Sequence, residues 1–414
     1  MQKGKSMSFR RYLSGVLAVG AAALLAACSS GGSHPVTSDS ASPAATSGSS
    51  DSGSASNPFT ATLPKPSGGT SQQLAYYRNQ VKLAEKTATW SQIAPDKPSP
   101  PVAKNKKILI IDCTAKGLGC VLQGQGAAQA AKVLGWTSKT VDGQGLSSVQ
   151  NSEILQAVAQ HYDGIYMNVI DSNSVESGLA AARKAHIPVV STLSANPVGN
   201  GPAGVYADAE PNHFQTGVNL SDWAIADANG KTVNYAVFYL SADAAGLQRT
   251  QGFVAGMKRC SWCHLVGGYQ VYNQQNTNNL PLRMESLIQS HPDINYVYMD
   301  VGPFVYLLNQ GLREAGPISK NVKIVSFDCV TDQVGRLRAG TPYDANCEGN
   351  ASLQAGWAAV DELNRAFNNA PQADDKVAAQ LFTKQNIDLI KNLKIGYDAG
   401  FDYRTYYLKL WKVG

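Results

Sequence analysis

Ile108-Leu109-Ile110-Ile111, four aliphatic residues following Lys106 and Lys107 and ending at Asp112, is the stretch from which the fold can be read. A short continuous apolar run is a buried strand, and Ala127, Ala130, Ala131 and Leu134 behind it fall at helical spacing. Outward from there the alternation continues. Residues 137–141 read as a second strand, 153–160 as a helix, 164–169 as a third strand, 175–185 as a helix and 187–192 as a fourth strand. Strands alternating with helices imply a parallel, doubly wound sheet.

After a loop at 196–204 the rhythm begins again. Strands are expected at 234–240, 265–269, 295–299 and 323–327, and helices at 246–257, 282–289, 304–315 and 332–339. The chain is therefore expected to be an α/β protein of two similar lobes. A long helix follows at 351–367, whose residues Leu353, Trp357, Val360, Leu363 and Phe367 make one apolar packing stripe. Residues 387–395 read as a closing strand, and the aromatic tail from Tyr397 to Trp411 is expected to pack on the second lobe.

The N-terminal end has a different character. Lys3, Lys5, Arg10 and Arg11 precede an apolar run from Leu13 that closes on Leu25-Ala26-Ala27-Cys28. A basic start, a short apolar stretch and small residues make an export signal. With the cysteine it resembles a bacterial lipoprotein signal, which implies that Cys28 becomes the first residue and carries the acyl chains of a membrane anchor. An ordinary signal peptide or an uncleaved anchor is the alternative, and Phe9-Arg10-Arg11-Tyr12-Leu13 hints at twin-arginine export. Residues 29–74, rich in Ser, Ala, Gly, Pro and Thr, cannot bury a core and read as a tether. A short helix at 73–86 and an extended stretch at 95–101 follow.

Loss of residues 1–27 takes four of the 35 basic residues and none of the 30 acidic ones, leaving 31 against 30. No basic face remains for a nucleic acid. Cys113, Cys120, Cys260, Cys263, Cys329 and Cys347 form an even set in an oxidising compartment. Six cysteines allow fifteen pairings; sequence neighbours suggest Cys113 with Cys120, Cys260 with Cys263 and Cys329 with Cys347. Cys260-Ser261-Trp262-Cys263 could instead be a redox pair or half of a zinc site, but it ends a helical pattern and has no second His/Cys pair nearby.

Four further stretches carry a family resemblance: Met167-Asn168-Val169-Ile170-Asp171-Ser172, Ala185-His186-Ile187-Pro188-Val189-Val190, Arg249-Thr250-Gln251-Gly252-Phe253 and Lys323-Ile324-Val325-Ser326-Phe327-Asp328. In order and spacing, from about 106 to 393, the chain resembles the type I periplasmic solute-binding proteins of the ribose-binding group, the receptors of ATP-driven importers. The resemblance implies two lobes joined by three crossovers, near 207–209, 347–350 and 387–389, with ligand held between them by hinge closure. The implied organisation is a signal at 1–27, a tether at 28–104, a first lobe of 105–207 plus 349–388, and a second lobe of 208–348 plus 389–414.

Ligands of open α/β sheets lie beyond the carboxyl ends of the strands. Asp112, Asn168, Ser194, Asp300, Asp328 and Glu348 occupy or adjoin such ends and are the expected ligand-binding residues. Asp328 matches the position where sugar-binding relatives hold hydroxyls, although it could also cap the helix near Asp332. Glu348 lies where relatives often have a glutamine, or is a hinge-surface carboxylate. Asn168 has a family counterpart, whereas Asp171 is expected to cap the next helix. Asp112 and Asp300 rest on strand-end position alone and could be solvated loop residues.

The chain also departs from the family pattern. Leu193-Ser194 replaces an Asp-Arg pair, Leu247 stands where a ligand-gripping arginine is expected, Val301 replaces an asparagine, and Gly117-Leu118 falls where relatives have aromatics. Arg249 is read as structural. The pocket is thus expected to be less polar than a free-sugar site and to admit a glycoside, an aromatic acid or a terpenoid derivative.

An enzyme is not expected. No G-x-S-x-G elbow, phosphate loop or H-E-x-x-H helix occurs, and His34, His161, His186, His213, His264 and His291 are scattered. No cofactor or metal is implied. The expected function is a monomeric, membrane-anchored binding protein that passes a small organic ligand to an ABC transporter permease. The alternative is a ligand-sensing receptor for a membrane signalling partner; a structural adhesin would lack a closing cleft.

Overall fold

The computed structural model describes residues 58–414. The signal segment, Cys28 and the tether through residue 57 lie outside the described residues. Helix α1 (Thr70–Ala84) and one-turn α2 (Trp90–Ile93) lead into β1 (Lys107–Asp112), α3 (Leu118–Val133), β2 (Thr137–Asp142), α4 (Ser147–Ala159), β3 (Gly164–Asn168), α5 (Glu176–Lys184), β4 (Val189–Thr192) and β5 (Ala207–Ala209). The five strands form a parallel sheet in the order β2-β1-β3-β4-β5. The Ile108–Ile111 run is solvent-free because helices cover both faces of β1.

The second lobe continues with α6 (His213–Ala228), β6 (Val233–Leu240), α7 (Ala244–Met257), β7 (Cys263–Tyr272), α8 (Leu280–Ser290), β8 (Tyr296–Met299), α9 (Val305–Ala315), β9 (Lys323–Phe327), α10 (Thr331–Ala339) and β10 (Asp344–Asn350). Then come α11 (Ser352–Phe367), β11 (Ala379–Thr383) and α12 (Tyr403–Trp411). The second sheet runs β11-β10-β9-β8-β6-β7, parallel throughout except for β11, which is antiparallel to β10. Alternate residues divide between two cores: Tyr235, Val237 and Tyr298 face α6 and α7, while Ala236, Phe238 and Val297 face α8 and α9.

The structure corrects the sequence reading at the C-terminal end. The closing strand is Ala379–Thr383, not 387–395, where the chain makes a short 3-10 turn at Ile387–Leu389. The third crossover moves with it from 387–389 to about 377–378. There Ala351 N–H donates to the Ala378 carbonyl and Val377 N–H to Glu210, so all three crossovers are knitted together. The aromatic tail is also relocated. Trp411 stacks on Trp357 at 5.5 Å and donates its indole N–H to Asp361, placing α12 on α11. Helix α11 in turn lies against α3 of the first lobe, where a Cβ on Gly126 would collide with the Leu353 carbonyl. Helix α11 thus packs on α3 through its Leu353 and Gly356 side, while Trp357 of the same stripe takes the tail.

Much of the expected tether is packed. Tyr77 of α1 is buried against α6, and Arg259 reaches back to Tyr76. Further on, the Arg365 guanidinium binds the Lys97 and Pro98 carbonyls and Asn364 accepts from Ala103 N–H. The cysteines join as Cys113–Cys120, Cys260–Cys263 and Cys329–Cys347. The Cys260–Cys263 bridge ties the end of α7 to the start of β7, the reverse of a strand-then-helix redox motif. Among the described residues no helix is long and apolar enough to cross a membrane, and no group of three His, Cys, Asp or Glu is placed to hold a metal.

Candidate functional site

The expected site residues form two groups, one on each lobe, with one residue standing apart. In the first lobe Asp112 and Asn168 end adjacent strands in register, and the Asn168 amide donates to Asp112 at 2.7 Å. Burial pushes the Asp112 carboxyl up to about 6, opposed by this hydrogen bond and reinforced by Asp142. Ser194 Oγ donates to the Thr192 carbonyl at 2.9 Å, so its lone pairs remain as acceptors.

In the second lobe Asp300 follows β8 and accepts from Leu240 N–H and the Tyr272 hydroxyl, both at 2.7 Å. Burial raises it to about 7, against the pull of the Leu240 hydrogen bond. Asp328, which follows β9, accepts from Gly302 N–H at 2.9 Å; burial raises it, and the nearby Arg249 charge lowers it.

Arg249, read from sequence as structural, is the hub of this group. Its Nη2 lies 3.1 Å from Asp243 and 3.4 Å from the Asp300 carbonyl, Nη1 lies 3.4 Å from His213 Nδ1, and the guanidinium sits 4.2 Å above the Phe327 ring. Burial opposes its charge, yet Asp243 and Asp328 hold it protonated. The helix crossing explains its position. A Cβ on Gly217 would overlap the Arg249 carbonyl and one on Gly252 the Phe214 carbonyl, so α6 and α7 touch backbone to backbone. The Gly252-Phe253 pair after Arg249 was the available signal; the glycine partner in α6 was not visible without the fold.

A polar line joins the lobes. Glu210 on the first crossover accepts from Ala195 N–H and lies 3.6 Å from His213 Nε2, and His213 reaches Arg249. Asp208 packs beside Glu210; burial and the Glu210 charge push Asp208 well above the carboxylate range, so the two carboxyls can share one proton. None of Glu210, His213 and Asp243 had been singled out, because their partners are remote in sequence.

Part of the positive-φ backbone among the described residues lies at the same strand ends. Val169, Leu193, Asp328 and Cys329 have φ of 50°, 56°, 77° and 49°. Left-handed conformations are costly for such residues and cluster where geometry serves function.

Glu348 does not join either group. Its side chain turns to the α6 side of the sheet, accepts from Asn219 at 2.9 Å, and is pushed up to about 8 by burial. It lines a separate cavity at the rear of the hinge.

The strand-end groups thus offer carboxylates and an arginine in dry surroundings. Groups of this kind can hold hydroxyls by charge-assisted hydrogen bonds, and the buried Phe327 ring backs the arginine.

A family model described as periplasmic binding protein domain matches residues 120–371. The chain is 25% identical over 221 residues to the ribose import binding protein RbsB of Bacillus subtilis (strain 168), covering 52% of this chain and 67% of that protein. Among solved structures, an ABC transporter solute-binding protein from Mycobacterium smegmatis with bound glycerol aligns with TM-score 0.60 at 20% identity, covering 71% of this chain and 98% of that one. The Caulobacter myo-inositol binding protein aligns with TM-score 0.60 at 16% identity, over 71% and 98% of the two chains.

Proposed function

Because the chain belongs to the periplasmic binding protein domain family and has its two parallel-sheet α/β lobes, we propose that it captures a sugar or related polyol between the lobes and delivers it to an ABC transporter permease. The observation that carries this reading is Arg249, held among Asp243, Asp300, Asp328 and His213 over the Phe327 face at the edge of the second lobe. The names of the B. subtilis relative and of the glycerol- and inositol-bound structures favour polyhydroxylated ligands. This polarity shifts the ligand class away from the more apolar candidates that the sequence departures suggested.

In this reading Asp112, Asn168 and Ser194 meet the ligand from one lobe, and Asp300, Asp328 and Arg249 from the other. Asp328 and Asp300 accept from hydroxyls, and Arg249, backed by the buried Phe327 ring, donates to a hydroxyl or ring oxygen. Closure about the crossovers excludes water and strengthens each contact. The protein makes and breaks no bonds. It works as a monomer outside the cytoplasm, with Cys28 lipidated as the membrane anchor, a reading supported by the export-type N-terminal sequence and the three disulfides.

A thermal-shift screen against pentoses, hexoses, inositols and glycosides tests it. A ligand at about a hundred times its Kd adds about 2.7 kcal/mol of stability. Loss of that gain in both Asp328→Ala and Arg249→Ala supports the site; full affinity in both removes it.

A further inference from the structure

The segment that precedes β1 is fastened to both lobes. It starts on the second. The buried Phe59 ring meets Tyr239 and Tyr269 at 5.2 and 5.4 Å, the Lys258 ammonium donates to the Phe59 carbonyl, and Tyr77 of α1 is buried against α6. Just after α1, the Glu85 carbonyl accepts from Gln380 of β11 at 2.7 Å and its carboxylate from Thr383 at 3.0 Å. Five residues on, the chain is held from the first-lobe side. Trp90 of α2 stacks on Tyr406 of α12 at 5.2 Å and meets Tyr407 edge-on at 5.0 Å, and α12 sits on α11. Pro98, Pro100 and Ala103 are then tied to Arg365 and Asn364 of α11. The C-terminal tail makes a second crossing of its own. Thr331 and Arg338 of α10 donate to the Leu393 and Ile390 carbonyls on the second lobe, and the tail then reaches α11 through Trp411. The two crossings touch, because a Cβ on Gly400 would fall 2.6 Å from Thr87 Cγ2.

Residues 58–104 and α12 both lie outside residues 120–371, the part that the family model matches. They add two connections to the three crossovers. Only residues 86–89 separate the two anchorages at Glu85 and Trp90. Five residue steps span at most about 18 Å when fully extended, so this link stops any lobe rotation that would part its ends further. We infer that the N-terminal segment is an interlobe strap, fastened at Glu85 and Trp90 and backed by the C-terminal tail, that limits how far the hinge swings. The inference rests on the reading that the lobes move about the crossovers. By narrowing the range of interlobe angles, the strap sets the fraction of molecules in the binding-competent arrangement, and apparent affinity scales with that fraction.

The test is the interlobe distance distribution of the ligand-free, full-length protein, read between spin labels on Leu155→Cys of α4 and Tyr306→Cys of α9, both exposed. A site-specific protease sequence inserted between Lys86 and Thr87 lets the strap be cut after folding, with the two pieces still held through Tyr77 and Arg365. Cutting should broaden the distribution relative to the native chain. Trp90→Ala, which unfastens one end without breaking the chain, should broaden it less. A label pair inside the first lobe, Val133→Cys with Leu155→Cys, should be unaffected, which separates a freed hinge from a loosened fold. An interlobe distribution as narrow after cutting as in the native chain would overturn the inference, and so would equal broadening of the pair inside the first lobe. Since no ligand is present, this outcome is independent of sugar capture. Lobes that draw together on a sugar but never widen on cutting would remove the strap and keep the capture reading; widening on cutting with no response to any sugar would do the reverse.

Discussion

The Arg249 guanidinium lies 4.2 Å above the centroid of Phe327, paired with the Asp243 carboxylate at 3.1 Å, 3.4 Å from the Asp300 backbone carbonyl and within the field of Asp328. An arginine here combines a planar face for the ring with a fork for carboxylates and ligand oxygens, which lysine cannot reproduce. Arg249→Ala should leave buried carboxylates unpaired and cost about 3–5 kcal/mol of stability, and Arg249→Lys should recover part of the stability but not ligand affinity. Urea unfolding and calorimetric titration of both variants separate the two effects.

Asp300 gives a pH signature. Its carboxyl titrates at about 7 when folded against an ordinary value of 3.8. Between those values the folded protein holds a proton that the unfolded chain has lost, so this group's contribution to stability is fully present at low pH, declines as pH rises and levels off above about 7. The limiting slope for one such group is about 1.4 kcal/mol per pH unit. Asp300→Asn, which still accepts from Leu240 N–H, should flatten that decline relative to the native protein. Urea midpoints at several pH values through the window measure the difference; parallel curves would remove Asp300 as its source.

The Cys329–Cys347 bridge closes 18 residues and joins the residue after Asp328 to the strand that becomes the second crossover. Replacing both by alanine should cost about 3 kcal/mol from loop entropy. Because Asp328 and Cys329 both hold positive φ, freeing Cys329 should also weaken ligand binding. Denaturation and titration of the double variant check both expectations.

Trp411 stacks on Trp357 and binds Asp361, which pairs with the buried Arg365 at 2.7 Å. Trp411→Ala should cost about 3–5 kcal/mol and expose the chain between Tyr397 and Asp402 to proteolysis. Limited digestion followed by mass determination locates the cut.

What the sequence made legible was whatever depends on local pattern. The aliphatic runs at Ile108–Ile111 and Lys323–Phe327 became β1 and β9, and the Leu353-to-Phe367 stripe became α11. Residues 387–395 misled because Ile387, Leu389, Ile390, Leu393 and Ile395 give strand-like hydrophobicity, while the β11 run Ala379–Thr383 is short and follows a polar loop. The tail was misplaced because an aromatic stretch declares burial but not its partner, here Trp357. Arg249 was passed over because its role comes from the α6–α7 crossing at Gly217 and Gly252, a contact between helices that one helix's sequence does not reveal. Glu348 was placed by strand-end position, but the alternation of β10 turns it away from the cleft and toward Asn219.

Interlobe closure on ligand is the central claim, and a spin–spin distance measures it directly. Leu155 on α4 and Tyr306 on α9 are 41% and 52% exposed and report one lobe each. With both changed to cysteine and spin-labelled, the sugar that stabilises the protein most should shorten the distance distribution in the native background and leave it unchanged in Arg249→Ala. A bound sugar that leaves the native distance distribution unaltered would contradict capture between closing lobes.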